Sequence, residues 1–281
     1  MSDGNASALN QGKAFIKGLM AKAATGGLGP GASRAQRNAQ IVKMLVIVIS
    51  VFTLGTVVMW SLGKLTLRQR DCSTMDALYS QFPPISSIRL TNPDYQFNMR
   101  DYYVKTAYNC CSPGAYKNAF VDTCALSDCI KQGARCLDFE IYDVEGAPVI
   151  AASSVESFTI KETYNTVPFG DAMSVVASQA FSGSATTCPA DPMFLHFRIK
   201  SSHPEIYTQM ADILYSTLEN RMLGKKYSYE YDGKNLGMVP LKDLAGKVII
   251  IVDRNTDLLG QTALDEYVNI CSNSMYMRSL R

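Results

Sequence analysis

The sequence predicts an α/β fold carried behind a single membrane-length helix, on three observations. Residues 44–63 run for twenty positions without a charge. Beyond residue 98, strand-like and helix-like patterns alternate, as they do where a parallel sheet is covered by helices. From Arg135 to Tyr142 the chain alternates with a period of two, so that Asp138, Glu140 and Tyr142 point one way and Leu137, Phe139 and Ile141 the other. Two acids on one strand face mark a site, because a strand turns such a face inward only toward a metal, a cation or a polar substrate.

The N-terminal part is basic. Residues 1–43 carry Lys13, Lys17, Lys22, Arg34, Arg37 and Lys43 against Asp3 alone, which accounts for more than the whole formal charge of +2. The basic charge belongs to a tail, and residues 99–281 lack the interleaved cations and aromatics of a nucleic-acid surface. Residues 12–24 read as a basic amphipathic helix that rests on a membrane surface or as a mobile tail, and residues 24–33 as a flexible linker. A helix over 44–63 is about 30 Å long and matches the hydrocarbon core of a bilayer, with Trp60 as an interfacial anchor. Lys64, Arg68 and Arg70 follow the span, but the N-terminal side holds more positive charge. The positive-inside tendency therefore puts the tail in the cytosol and the large domain on the other side. The sequon at Asn5 then lies on the cytosolic side.

All eight cysteines lie beyond residue 70, with no zinc-ribbon spacing and only two histidines in the chain. Their number and placement favour an oxidising compartment with some disulfides, and buried free thiols are the alternative. Residues 64–98 form a connector broken by Pro83-Pro84 and Asn92-Pro93. Strands are expected near 101–109, 135–142, 193–199 and 247–252, and helices near 120–132, 169–181 and 204–222, with one further helical pattern over 262–277. The run Tyr227 to Tyr231 reads as an edge, a loop or a partner contact.

Gly-Ala-Arg-Cys at 133–136, followed by Leu-Asp-Phe-Glu-Ile-Tyr-Asp, a short turn and Pro148-Val-Ile, resembles the X region of phosphatidylinositol-specific phospholipase C and its phosphodiesterase relatives. There the segment reads approximately Gly-Cys-Arg-Cys-Val-Glu-Leu-Asp, then Trp-Asp-Gly, then Pro-Val-Val-Tyr-His-Gly-His. Tyr102 to Cys111 is similar to that family's first strand, 193–200 to its third, and 239–252 to the approach to its fourth. The resemblance implies a TIM-type barrel. Four strands make only half of one, so a second chain that completes the barrel, or an assembly, is one expectation for a partner beside the lipid bilayer.

In the family two histidines act as general base and general acid, and calcium or an arginine neutralises the phosphate. By resemblance the first position falls on Tyr108 and the second on Ala152, so neither histidine is present. Asn109, Asp138 and Glu140 fall where calcium-dependent members place their oxygen ligands. Arg198 stands where the family has a glutamate. It is expected to replace the cation by bridging Glu140 and Asp138, so that no cofactor is expected and calcium binding is doubtful. His196 shares the Arg198 face and reads as a satisfied interior histidine, with a relocated acid or base, His196 or Glu140, as the alternative. His203, before Pro204, reads as a solvated residue at a helix start. The expected function is a single-pass membrane protein with an inactive phosphodiesterase-like domain used for binding or structure. The alternative is a phosphoric diester hydrolase acting on phosphoinositide or a related lipid through residues other than the family's.

Overall fold

The computed structural model describes residues 13, 14, 17, 18, 33–85, 87, 89, 91–93, 96–155, 162–229, 235–253 and 258–272. The chain divides into two units, Met1–Leu65 and Thr66–Arg281. Most of the expected helix over 12–24, its linker and Asn5 lie outside the described residues.

The first unit holds helix α1, Arg34–Leu65. Its stretch Asn38–Leu65, 28 residues, is long and apolar enough to cross a membrane, and none of it is buried. It extends the expected 44–63 at both ends. The hydroxyls of Thr53 and Thr56 donate to the carbonyls of Ile49 and Thr53 at 2.8 Å, so these polar groups are satisfied within the helix.

The second unit is a mixed α/β sheet with helices on one face. Where a connector was expected, Leu67–Tyr79 forms helix α2. It is followed by β1 (Thr106–Ala107), α3 (Thr123–Lys131), β2 (Cys136–Val144), β3 (Ala147–Ala151), β4 (Val167–Pro168), α4 (Phe169–Gln179), β5 (Met193–Lys200), α5 (Pro204–Leu218), β6 (Val248–Asp253) and β7 (Ile270–Ser272). The strand order is β4-β3-β2-β5-β6-β7, with β1 beside the start of β2. No pairing closes this sheet into a barrel among the described residues.

Three sequence expectations are corrected here. The sheet is not purely parallel, because β2 turns back into β3 through Glu145 (φ 55°) and Gly146 (φ 78°) and pairs with it antiparallel. Two consecutive residues of positive φ make a hairpin turn, and a loop this short cannot make a parallel crossover. The first strand shrinks from 101–109 to two residues, since only Thr106 and Ala107 find partners, Cys136 and Leu137. The described part of the pattern at 262–277, up to Ser272, holds no α-helix. Ala263–Tyr267 is a 3₁₀ turn, and Asn269 then starts β7 by exchanging hydrogen bonds with Ile250, its amide and its side-chain oxygen both at 2.9 Å.

The outward face of the strands carries Leu137, Phe139, Ile141, Leu195, Phe197, Ile199, Ile250 and Val252, all fully buried. Helix α4 adds Phe169, Ala172, Met173 and Val176, one stripe at helical spacing. Helix α5 begins with Pro204 at its first turn and buries Ile206, Tyr207, Met210, Ala211, Leu214 and Leu218. Phe197 sits at the centre, its ring 5.8 Å from Phe139 and edge-on to Phe169 at 5.3 Å.

Helix α3 is capped by the Asp122 side chain, which accepts from the Cys124 amide at 2.9 Å. It ends at Gly133 (φ 78°), whose amide returns to Ile130 O while that of Ala134 returns to Cys129 O. A β-carbon on Gly133 would also meet Ile85 at 3.1 Å. A disulfide joins Cys72 of α2 to Cys124 of α3, and the other six cysteines are free thiols, four of them buried. The cysteines therefore divide between the two expectations.

Candidate functional site

The site lies on the inner face of the sheet, opposite the helices. Parallel pairing sets Asp138 beside His196 and Glu140 beside Arg198. Alternation along β6 places Asp253 in the same layer, and the turn after β1 brings in Tyr108 and Asn109. Asn109 takes a left-handed conformation (φ 46°), which asparagine tolerates better than most residues. Its amide donates to Asp138 Oδ1 at 3.0 Å, and the Cys110 amide donates to the Asp138 carbonyl at 3.1 Å.

Asp138, 2% exposed, is the hub. Arg198 Nε donates to its Oδ2 at 3.0 Å and Arg198 Nη2 to its Oδ1 at 2.8 Å, a fork of two parallel charge-assisted bonds. Arg198 Nη2 also reaches Asn109 Oδ1 at 2.5 Å, and Nη1 lies 3.5 Å from Glu140 Oε1. The guanidinium carbon sits 4.5 Å from the centre of the Tyr108 ring, in cation–π geometry. His196 Nδ1 lies 2.8 Å from Asp138 Oδ2, and its Nε2 lies 3.1 Å from Asp253 Oδ1.

The electrostatics follow from these contacts. Burial would raise the Asp138 carboxyl, but hydrogen bonds from His196 and Arg198 outweigh it and hold the group below its usual range. Burial opposes charge on His196 as well; its bonds to Asp138 and Asp253 prevail and raise the imidazole to about 9. Arg198 is likewise held above its ordinary value, against burial, by Asp138 and Glu140. Glu140 goes the other way: its desolvation exceeds the pull of Arg198 and of the Ser153 amide, and its carboxyl is raised. Burial also raises the Tyr108 phenol, with Arg198 pulling it down.

At neutral pH, then, His196 is an imidazolium that donates from both nitrogens to carboxyl groups. It has no lone pair with which to accept a proton. Tyr108 is 59% exposed at the mouth, and Ala152 is fully buried with no titratable group. The segment after Ala152 is held by acids: the Ser153 amide donates to Glu140 Oε2 at 3.1 Å, and the Ser154 amide to Glu162 Oε2 at 2.6 Å. The other histidine, His203, lies in an exposed ion pair with Asp143.

The structure thus gathers Asn109, Asp138, Glu140, His196 and Arg198 into one cluster with Tyr108 at its mouth, and leaves His203 outside. Asp253 was absent from the sequence reading. Its signal was the alternation Ile249, Ile251, Asp253, one residue past the expected end of that strand. Lys200, buried one step beyond Arg198 on the same face, was also passed over.

Among solved structures, the L. pealei protein PLC21 is similar at 18% identity and TM-score 0.44, covering 56% of this chain and 19% of that one. A calcium-dependent phosphoinositol-specific phospholipase C from a Pseudomonas species is similar at 9% identity and TM-score 0.42, covering 65% and 68%. The phosphatidylinositol-specific phospholipase C of Listeria monocytogenes is similar at 12% identity and TM-score 0.39, covering 58% and 54%. The chain spans about a fifth of the length of the L. pealei protein. No curated protein matches it. The family model described as phosphatidylinositol-specific phospholipase C, X domain, matches residues 95–254, more than half of the chain, and the chain belongs to that family.

Proposed function

We propose that this chain is a membrane-anchored member of its family in which the phosphodiesterase-like domain binds or builds rather than hydrolyses. The carrying observation is the fork between Arg198 and Asp138. Both Asp138 oxygens, the Asn109 side-chain oxygen and one face of Glu140 already answer to a guanidinium. A calcium ion needs those same oxygens free, at distances of about 2.3–2.6 Å. The donor set as arranged does not fit the metal.

Acid–base chemistry is missing for a second reason. Tyr108 and Ala152 stand where the family's histidines act, and His196 has both nitrogens engaged. General acid–base catalysis is worth about 10²–10⁴-fold, so an enzyme of the family's kind loses its principal source of rate here. Fold alone does not restore it. What remains is a closed ion-pair cluster under the Tyr108 ring, in which Arg198 and His196 answer to Asp138, Glu140 and Asp253, suited to building the domain rather than to breaking a phosphodiester.

Helix α1 supports anchoring through its length and unbroken apolar surface. The excess of cations before it supports a cytosolic N-terminus with the domain on the other side.

The test is hydrolysis of phosphatidylinositol and of a water-soluble inositol phosphodiester by the full chain in detergent, with and without calcium, beside Glu140→Gln and Arg198→Ala. No turnover in folded protein is the expected result. Turnover that disappears in either variant would overturn the proposal and establish an active hydrolase using residues other than the family's.

A further inference from the structure

We propose that Cys72, Asp122 and Cys124 form a second site, closed by a disulfide and opened by reduction, whose two thiolates and one carboxylate take a zinc ion. It is built on helices α2 and α3 and shares no residue with the Arg198 cluster.

One ligand atom of each residue lies within 4.8 Å of the other two, and all three residues are half-buried. The two cysteines are 52 residues apart, so no short motif announces them. A tetrahedral zinc ion with bonds of about 2.3 Å to sulfur and about 2.0–2.2 Å to oxygen holds its sulfurs about 3.8 Å apart and each sulfur about 3.5 Å from the oxygen. Both separations fit inside the cluster. The Cα atoms of Cys72 and Cys124 are 6.0 Å apart, so the sulfurs part to this distance by side-chain rotation with the helices in place. Three protein ligands leave the fourth position to water.

The two helices are held together by more than the sulfur bond. Near the start of α2, Arg68 pairs with Asp122, and Asp71 packs on Gly114, where an added β-carbon would come within 2.9 Å of its carboxylate. Farther along, Lys131 meets Asp76 at 3.2 Å, Gln132 donates to the Tyr79 carbonyl at 2.9 Å, and Met75 packs against the core. These contacts keep Cys72 beside Cys124 when the bond between them is broken.

The surroundings suit thiolates and a metal. Cys124 is in the first turn of α3, where the helix dipole favours the ionised sulfur. Zinc with two thiolates and a carboxylate carries one net negative charge, and the Arg68 guanidinium beside Asp122 balances it. Asp122 already accepts from the Cys124 amide on one oxygen and from Arg68 on the other, and each oxygen keeps a lone pair for the metal. Opening takes a dithiol reductant: two electrons and two protons pass to the disulfide, which becomes two thiols, and the reductant leaves as its own disulfide. Binding zinc then releases the two thiol protons.

The experiment reduces the full chain in detergent with a water-soluble phosphine, itself oxidised to the phosphine oxide, and titrates it with cobalt(II) and then zinc. The expected result is the visible absorption of tetrahedral, thiolate-bound cobalt, saturating at one ion per chain, displaced by zinc and absent before reduction. Asp122→Asn keeps the helix cap and should weaken binding roughly 10–100-fold. Cys72→Ser combined with Cys124→Ser should abolish the signal, and Asp122→Asn carries the test if that double variant does not fold. Zinc should also raise the melting temperature of the reduced wild type. No cobalt absorption in the reduced protein, absorption that persists in the double variant and so reports the other six thiols, or binding that Asp122→Asn leaves unchanged would overturn the proposal. Reduced protein that unfolds as readily with zinc as without it would do the same, and would leave the pair a structural disulfide only.

Discussion

Arg198 grips Asp138 with two nitrogens, at 2.8 and 3.0 Å, from the neighbouring strand. Both groups are taken almost wholly out of water. Isolated, either would pay several kcal/mol in lost hydration; each is tolerated chiefly because of the other, with His196 and the Asn109 amide also on Asp138 and Glu140 also on Arg198.

Removing one partner should therefore cost more than removing both. Arg198→Met is expected to destabilise the domain by about 3–5 kcal/mol, because Asp138 is left charged and buried. Arg198→Met combined with Asp138→Leu should recover a substantial part of that loss. Denaturant unfolding of the two single variants and the double variant measures the coupling directly.

His196 gives the fold a pH dependence. Its folded value, about 9, lies above the ordinary 6.5, so its stabilisation is fully present below about pH 6.5 and is lost as pH rises through 9. The full contribution is on the order of 3 kcal/mol. Stability measured from pH 6 to pH 9.5 should fall, and His196→Asn should flatten the slope. Asp138 acts in the opposite window. Its lowered value makes its contribution present above the ordinary carboxylate range and lost as pH falls through the folded value.

The disulfide between Cys72 and Cys124 closes 52 residues. Cys72→Ser should cost about 2–4 kcal/mol and remove the difference in melting temperature between reduced and oxidised protein.

Phe197 touches both Phe139 and Phe169 at the centre of the core. Phe197→Ala should cost about 3–5 kcal/mol through lost burial and the cavity left behind, as read by thermal or denaturant unfolding.

The sequence carried most of the site because the site is built on strand periodicity. The alternation of Asp138 and Glu140 against Leu137, Phe139 and Ile141 needed no tertiary information, and neither did His196 and Arg198 two residues apart. What could not be read was pairing. The hairpin depends on positive φ at Glu145 and Gly146, and a non-glycine residue in that conformation gives a weak signal. Strand β7 depends on Asn269 meeting Ile250, residues nineteen apart, while its local pattern favours a helix. Asp253 escaped because hydrophobic runs mark where a strand is buried, and a strand's last polar residue falls outside that signal. Helix α2 was hidden for a related reason: it buries none of its residues fully, so it shows little apolar periodicity.

The most direct test of the account is calcium titration of the full chain by calorimetry, up to about 1 mM free ion, the upper range for weak protein sites. A guanidinium already seated on Asp138, Asn109 and Glu140 predicts no saturable heat, in the wild type and in Glu140→Gln alike. Stoichiometric binding in the wild type that Glu140→Gln abolishes would contradict it, and would return this site to the metal-dependent members of its family.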